Sequence, residues 1–311
     1  MIVDGVEVEE TFAEAFSMYA TRLLVTAKNR RWARIAALKA TGFATSIIMC
    51  PAEGGIEGFV SDSLTPDKRP GVLIQFYHRT IPELKLQILS RVGQCILTCP
   101  TTAVFDGLPK VRRKIRAGSS LAKFGDGFEH QQELYGRKMW CIPVMEGTFL
   151  IEDSIGVLKG VAGGNIIILA EDEEAGLTAA ETAVRAVRRY VRGVIMPFPG
   201  GIVRSGSKVG SLKYPKLIAT TNHLFCPTLR SKVPDTCVPE GVQSVYEIVI
   251  NGLNLDRVVE AMGVATLAAC KVRGVKKITA VNFRGKLGPY KIDLMTAVEK
   301  AQEKLSSRKR M

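Results

Sequence analysis

Two similar stretches, Ile48-Met-Cys-Pro-Ala-Glu-Gly-Gly55 and Ile195-Met-Pro-Phe-Pro-Gly-Gly201, lie in opposite halves of the chain. In each, a short apolar run that suits a β-strand passes through proline into a pair of glycines. Prolines and glycines end regular structure and mark turns, so each stretch predicts a strand that runs into a glycine-rich loop. The repetition indicates a chain built by internal duplication.

The predicted elements around the two stretches follow the same order. In the first half, the capping box Thr11-Phe-Ala-Glu14 predicts a helix, because the Thr hydroxyl and the Glu carboxylate can each accept from a backbone N–H at a helix start. A strand at 72–77 and a second capping box, Thr80-Ile-Pro-Glu83, come after the first stretch. The second half repeats the capping box, the strand and the helix cap at Thr178–Glu181, Ser244–Ile250 and Asn254.

This recurrence predicts an α+β fold with two ferredoxin-like lobes from an internal duplication. We place the lobes at residues 1–145 and 146–311, and a length of 311 residues is enough for each to have its own core. Apolar and polar residues alternate from Arg137 to Glu171 with glycines between them, which predicts an intervening β-meander.

The composition excludes several classes of protein. With 46% hydrophobic and 23% charged residues, the chain is typical of a globular protein and unlike a disordered one. No apolar run approaches the roughly 20 residues of a membrane helix, and the acidic N-terminus is unlike a secretory signal. Seven cysteines, an odd number, suit a reducing compartment better than a disulfide scaffold. We therefore expect a cytoplasmic protein with no membrane partner.

The charge balance indicates acidic partners. There are 43 Lys and Arg against 30 Asp and Glu, a formal charge of +13, which suits an anionic small molecule or an acidic subunit. For any single basic cluster, a solvated helix face is the alternative. Nucleic acid is disfavoured, because aromatic residues are only 7% and no nucleic-acid-reading motif occurs. The three histidines are isolated from one another and from cysteine pairs, so we expect no metal site.

The segment from Pro197 to Ser211 is the most unusual of the chain. Its glycines, Gly200 and Gly201 among them, let backbone N–H groups converge on an anion. Three further side chains would add charge and hydroxyl groups: Arg204, Ser207 and Lys208. The order Gly-Ser-Lys is not that of a nucleotide-binding P-loop, which excludes that function. A plain surface loop is the alternative.

A candidate proton carrier lies in the strand predicted at Ser244–Ile250. Side chains alternate between the faces of a strand, so Glu247 shares one face with Val245 and Val249. A carboxyl between two valines is partly desolvated, which raises its pKa and suits it to proton transfer near neutral pH. The alternative is an edge-strand Glu that points to water. Asn251 follows in a tight turn at the end of the strand.

A polar loop precedes this strand, from Thr220 to Thr228. It contains Asn222 and His223 and ends in a rigid Cys-Pro pair. By itself the loop is weak support for a site, and His223 reads more readily as a loop histidine with satisfied hydrogen bonds than as a catalyst.

Taken together, these segments resemble the formylmethanofuran–tetrahydromethanopterin formyltransferase family. The matching stretches follow one another over nearly the whole chain: Thr11–Phe16, Thr41–Pro51, Arg91–Cys95, Phe124–Gly127, Val161–Asn165, Pro197–Ser211, Cys226–Thr228, Glu247–Leu253 and Gly285–Gly288. The resemblance implies transfer of a formyl group between N5 of a tetrahydromethanopterin-type carrier and the amine of a methanofuran-type carrier. It also implies a homo-oligomer, typically a tetramer, and no metal or permanently bound cofactor.

The resemblance also implies roles for residues. Glu247 would relay the proton, the backbone at Gly200 and Gly201 with Ser207 and Lys208 would contact an oxyanion or a carrier tail, and Asn222 and Asn251 would orient amide or pterin groups. The basic charge resembles the bacterial-type members, for which formylmethanofuran hydrolase subunits are the expected partners. His223 stands where the resemblance implies Asp, and Arg284 where it implies Gly. A non-catalytic scaffold subunit of such a complex and a basic nucleic-acid-binding module are the alternatives.

Overall fold

The computed structural model describes residues 1–309. Its strands are β1 (Ile2–Val3), β2 (Val6–Val8), β3 (Phe12–Thr26), β4 (Glu53–Val60), β5 (Gly71–His78), β6 (Ala103–Asp106), β7 (Lys114–Ile115), β8 (His130–Leu134), β9 (Arg137–Val144), β10 (Gly147–Glu152), β11 (Ile155–Ala170), β12 (Val194–Ile195), β13 (Lys208–Val209), β14 (Ala219–Thr220), β15 (Ser244–Gly252), β16 (Val275–Thr279) and β17 (Tyr290–Asp293). Its α-helices are α1 (Arg30–Ala40), α2 (Ile81–Arg91), α3 (Ala117–Leu121), α4 (Glu173–Tyr190), α5 (Leu255–Ala269) and α6 (Leu294–Lys309). Within residues 1–309, none of these helices combines the length and apolarity that a bilayer crossing requires.

The chain divides into two compact units. One consists of Met18–Gly160, and the other of Met1–Ser17 together with the chain from Val161 onward. The long strands β3 and β11 each contribute residues to both units. The predicted lobes, 1–145 and 146–311, divide the chain by sequence alone and stay a prediction.

The unit of Met18–Gly160 has an antiparallel sheet in the order β4-β5-β3-β6. In chain order the elements are β3, α1, β4, β5, α2 and β6, which is the ferredoxin-like βαββαβ arrangement. Helices α1 and α2 bury Ala33, Ala37, Leu84 and Ile88 in a core shared with the strands. Beyond β6, the sheet continues through β10 and β9 to β8, and these three strands form a meander over His130–Glu152. The meander predicted at Arg137–Glu171 overlaps it in β9 and β10, but the rest of that range is the long strand β11.

The second unit repeats this topology. Its sheet has the order β12-β15-β11-β16, again antiparallel, and its elements follow one another as β11, α4, β12, β15, α5 and β16. A short strand and a helix then follow in each half, β7 with α3 and β17 with α6. The α+β fold of two duplicated ferredoxin-like lobes is thereby confirmed.

Two local predictions held because their signals are local. The Thr80 hydroxyl caps α2 by accepting from Glu83 N–H (3.4 Å). The Asn254 side chain caps α5 by accepting from Arg257 N–H (3.0 Å). In both cases the cap and its partner are three residues apart, so the sequence contains the whole interaction.

Three other predictions were wrong. The helix expected from Thr11–Glu14 is the strand β3, because its residues pair with strands on both sides and its apolar residues reach both faces of the sheet. Helix α4 begins at Glu173 and not at Thr178, since Asp172 accepts from Ala175 N–H (2.8 Å) and caps it earlier. The strand expected at 45–50 is a series of turns, and β4 begins only after Pro51.

Candidate active site

Strand β15 presents Glu247 on the face of its sheet that the helices leave free. The alternate residues Ile248 and Ile250 are fully buried in the core with α4 and α5. Val245, on the same face as Glu247, packs instead with Ile167 and Val238. The strand alternation predicted from sequence is therefore the one observed.

Glu247 has an apolar backbone neighbour on each side. Ile167 of β11 is its cross-strand partner on one side. On the other side, Val203 donates its N–H to the Glu247 carbonyl (2.7 Å) and accepts the Glu247 N–H (3.0 Å). Burial in these surroundings raises the pKa of Glu247 from 4.5 to about 7. A carboxyl with this pKa exchanges a proton readily near neutral pH.

The structure brings the glycine-rich loop to Glu247, because Val203 belongs to that loop. Its glycines have left-handed backbone, with φ of 67° at Gly200 and 96° at Gly201. The Gly201 N–H donates to the Phe198 carbonyl (2.8 Å), so this N–H is already used in the turn and does not point to an oxyanion. Arg188 of α4 holds the Gly200 carbonyl (3.2 Å). The two glycines therefore shape the turn against α4.

The remaining predicted residues of that loop differ in exposure. Arg204 and Ser207 are exposed. Lys208 is half-buried, and its Nζ donates to the Thr220 hydroxyl (2.5 Å) across the β13–β14 hairpin.

A cavity of about 470 Å³ lies beside Lys208 and Asn222. The described residues that line it are Glu9, Thr11, Lys208, Val209, Asn222, Leu224, Phe225, Cys237, Lys277, Thr279, Ala280, Val281, Asn282 and Phe283. Glu247 and Asn251 do not line it. Thr279 is the cross-strand partner of Ile167, which is itself the partner of Glu247, so one row across the sheet leads from the acid to the cavity wall.

Two buried polar atoms, which belong to residues adjacent in sequence, have no hydrogen-bond partner among the described residues. They are Oδ1 of Asn222 and Nδ1 of His223. Such atoms are rare in folded proteins, because each one loses its water without a replacement. Asn222 also lines the cavity, so this unsatisfied acceptor belongs to a residue of the cavity wall.

Asn251 has a different place from the one expected. It is fully buried, and its Oδ1 accepts the Gly163 N–H (3.0 Å), where the β11–β15 register shifts between Val161 and Gly164. The amide oxygen thus satisfies the backbone at a β-bulge.

The position equivalent to Glu247 in the first half holds no acid. Glu247 lies seven residues before the cap Asn254, and the residue seven before the cap Thr80 is Leu73. Leu73 packs with Leu24, Phe105 and Met139, the last from the meander. The first copy thus has a leucine where the second has Glu247. Gln75, two residues along the same face, donates instead to the buried Glu57 (2.6 Å), so the two copies place their acids differently.

Several residues of the site escaped the sequence reasoning. Thr279, Lys277, Asn282 and Phe283 line the cavity, yet they follow one another in a short strand and loop without a recognisable motif. No group of three or more His, Cys, Asp or Glu side chains that could hold a metal ion occurs in the described part of the chain.

The loop between β16 and β17, whose residues Asn282 and Phe283 line the cavity, contains a strained residue. Arg284 has φ of 59°, followed by Gly285 at 72°. An L-residue other than glycine adopts this left-handed backbone at a cost of about 1 kcal/mol. This explains why a glycine is expected at position 284.

Arg284→Gly is expected to raise the free energy of unfolding by up to about 1 kcal/mol, because the strain is relieved, less the added entropy of the unfolded chain. Thermal unfolding of the variant and of wild type measures the change. A Lys68→Gly variant, at φ of 57° in the other unit, is the matched comparison, because it relieves the same kind of backbone strain away from the cavity. A clear loss of stability in Arg284→Gly would show that the arginine side chain outweighs the backbone strain.

Two family models match the chain almost from end to end. Residues 1–144 match the model described as formylmethanofuran-tetrahydromethanopterin formyltransferase, and residues 147–297 match the model described as FTR, proximal lobe. The chain is 53% identical to the formylmethanofuran–tetrahydromethanopterin formyltransferase of Methanocaldococcus jannaschii over 96% of this chain and 100% of the relative. It is 55% identical to that of Archaeoglobus fulgidus over 94% and 99%.

Solved structures agree with these matches. The formyltransferase of Methanosarcina barkeri superposes with a TM-score of 0.93 at 50% identity, covering 96% of this chain and 100% of that one. A chain of the formyltransferase/hydrolase complex of Methylorubrum extorquens, solved with methylofuran, gives a TM-score of 0.91 at 43% identity over 96% and 98%.

Proposed function

Because the chain belongs to the formylmethanofuran–tetrahydromethanopterin formyltransferase family, it is a formyltransferase, and we propose that Glu247 relays the proton of the transfer. The enzyme moves a formyl group between a tetrahydromethanopterin-type carrier and a methanofuran-type carrier in one-carbon metabolism. The single observation that carries the proposal is the position of the half-buried Glu247: its backbone is hydrogen-bonded to Val203 of the glycine-rich loop, and burial raises the pKa of its carboxyl to about 7.

The chemistry defines what the site has to supply. The nitrogen of the accepting carrier attacks the formyl carbon, and a tetrahedral adduct with a negatively charged oxygen forms. The bond to the donor nitrogen then breaks. The attacking nitrogen loses one proton and the leaving nitrogen gains one, so a single group can take the first and return the second. Holding both carriers in reach of that group supplies much of the acceleration.

Glu247 suits this exchange for a physical reason. Ionised, it can take the proton of the attacking nitrogen. Protonated, it can return that proton to the leaving nitrogen. Because its pKa is close to neutral, neither form is costly to reach at the pH of a cell.

The cavity supports carrier binding. Its volume of about 470 Å³ lies in the range of small-molecule sites. The Asn222 Oδ1, which has no partner, would accept an amide or pterin N–H of a carrier once the side chain turns toward the cavity that it lines. Lys208 brings a positive charge to the cavity, and the exposed Arg204 and Ser207 would contact the outer part of a carrier.

The transfer rate is expected to rise with pH through an inflection near 7 and then level off. The reason is that only the ionised Glu247 accepts the first proton, and its pKa is about 7. Values of kcat/KM measured between about pH 5.5 and 8.5 report this ionisation in the free enzyme. A flat profile across this range would remove Glu247 from the proton transfer.

We also propose the assembly. The β13–β14 hairpin exposes five apolar side chains, namely Val209, Leu212, Tyr214, Leu217 and Ile218. Because exposed apolar side chains of this kind support self-association, we propose a homotetramer. Hydrolase subunits are a proposed second partner, since the Methylorubrum extorquens structure is a formyltransferase/hydrolase complex. The archaeal relatives described above are closer in identity than that bacterial chain. Seven free thiols support a reducing, cytoplasmic location.

A transfer assay tests the function. Purified protein is mixed with a formylated furan carrier and a tetrahydropterin carrier, and the formylated pterin is followed by absorbance, with and without hydrolase subunits. Turnover by the chain alone supports the proposal. No turnover under either condition, with both carriers shown to bind, would favour the scaffold role. No permanently bound cofactor is proposed to be required, and activity of metal-free protein tests that point.

A further inference from the structure

Glu14 of β3 is a buried carboxylate, 3% exposed, that contacts a distant loop. Its Oε1 accepts the N–H groups of Phe283 (2.7 Å) and Gly285 (2.5 Å). Its Oε2 accepts those of Leu287 (2.8 Å) and Gly288 (3.0 Å). One side chain thus satisfies four backbone donors of the loop between β16 and β17.

The loop has no comparable internal framework. Among its described backbone bonds, Lys286 N–H donates to the Phe283 carbonyl (3.2 Å). The left-handed residues Arg284 and Gly285 turn the chain so that the N–H groups of Phe283 and Gly285 reach the same oxygen, while the Arg284 N–H between them donates to Asn282 Oδ1 (3.1 Å). Gly288 lies so close to the Ala15 backbone that a Cβ would meet its carbonyl oxygen. The loop therefore closes around the carboxylate of Glu14.

Hydrogen bonding keeps this carboxylate charged. Burial by itself would raise the pKa of Glu14, but the four N–H donors together hold it below its ordinary value of 4.5. An anion with four N–H partners is matched in charge and in geometry, whereas an amide at the same place would turn its NH₂ group toward two of the donors.

The clamped loop reaches the cavity beside Asn222 through its first residue. Phe283 lines that cavity, as does Asn282 immediately before the loop. The Asn282 side chain donates in turn to Thr11 Oγ1 (3.2 Å) and the Phe12 carbonyl (3.1 Å), which shortly precede Glu14 in sequence.

We propose that Glu14 is a positioning residue of the formyltransferase: its carboxylate fixes the 283–288 loop and thereby holds Phe283 in the wall of the carrier cavity. This inference rests on the proposed function of that cavity. Glu14 touches neither carrier in this scheme and acts only through the loop.

Two variants and one control test the role. Glu14→Ala leaves four N–H donors around an empty space, and Glu14→Gln keeps the shape without the charge. Glu299→Gln, at an exposed position of α6 in the same unit, is the matched control. Amide hydrogen exchange of 283–288 reports the clamp, and KM against kcat for both carriers reports the positioning.

In Glu14→Ala, exchange at 283–288 is expected to accelerate by about tenfold or more. KM for at least one carrier is expected to rise by about tenfold, with kcat changed less than threefold or so. Acetate should restore both values in part, because a carboxylate can enter the space and accept the same four N–H groups, whereas acetamide should not. Glu14→Gln should show the same defect without rescue, and the control should match wild type.

The outcomes separate the inference from the function beneath it. Unchanged exchange in both variants would overturn the clamp. Faster exchange with both KM values unchanged, in an enzyme whose wild type is active, would overturn the positioning role. A wild type without transfer activity would overturn the proposed function and the positioning role together. Amide hydrogen exchange at 283–288 would still decide whether Glu14 holds the loop. Should Glu14→Ala fail to fold, Glu14→Gln gives the same readings.

Discussion

Glu247→Gln is expected to lower kcat by about 100-fold or more while leaving carrier affinity nearly unchanged. Glutamine has the same shape but cannot take the proton of the attacking nitrogen at any pH near neutral. Carrier binding depends on the cavity and the surrounding loops, which the substitution leaves in place. Steady-state kinetics with each carrier varied in turn separate kcat from KM, and the inflection near pH 7 should vanish together with the turnover.

The same variant is expected to be more stable than wild type at pH 8. The folded-state pKa of Glu247 is raised from 4.5 to about 7, so between these values the folded chain keeps a proton that the unfolded chain has lost. Stability therefore falls as the pH rises through this window, and above it the full cost of a partly buried charge is present. Removing the charge should return on the order of 1–3 kcal/mol at pH 8 and almost nothing near pH 4.

This stability change also serves as the control for folding. A variant that is inactive yet at least as stable as wild type has lost a chemical group and not its structure. Glu240→Gln, at an exposed position that precedes β15, should change neither property. Turnover of Glu247→Gln within a few-fold of wild type would remove this residue from the mechanism.

The largest expected loss of stability comes from Gly263→Ala. Gly263 lies in α5 at its contact with α6, where an added Cβ would press on the Ala297 backbone carbonyl and on Ala301 Cβ. A backbone cannot turn aside as a side chain can, so the two helices would have to separate. The core that they share with the sheet would open with them. We expect a loss of about 3 kcal/mol or more in the free energy of unfolding.

Thermal unfolding with circular dichroism checks this prediction. Gly93→Ala is the matched control, because its Cβ would meet only the flexible end of Leu121 at 3.3 Å. Alanine also favours a helical backbone over glycine, so this control should change stability by less than about 1 kcal/mol. An equal, small effect of both substitutions would mean that α5 and α6 can move apart without cost.

Much of the fold could be predicted from the sequence. The order of elements in the two halves and the caps at Thr80 and Asn254 were visible, because caps and turns involve residues only a few positions apart. The face of β15 that carries Glu247 followed from strand alternation in the same way. The first strand of the first half was predicted wrongly. The Thr11–Glu14 pattern satisfied a helix rule, but the pairing of β3 with distant strands overrode it.

The local sequence of this protein determined its helix caps, its duplicated plan and the acid on β15, because each depends on neighbours within a few residues. Tertiary structure alone decided which partners those residues met. Glu14 finds its four N–H donors about 270 residues away, and Asn251 reaches a bulge 88 residues away. Val203 pairs with Glu247 on the edge of β15 opposite β11, although the β13–β14 hairpin lies between the two residues in sequence. Such contacts leave no local pattern, since a hydrogen bond constrains distance in space and not separation along the chain.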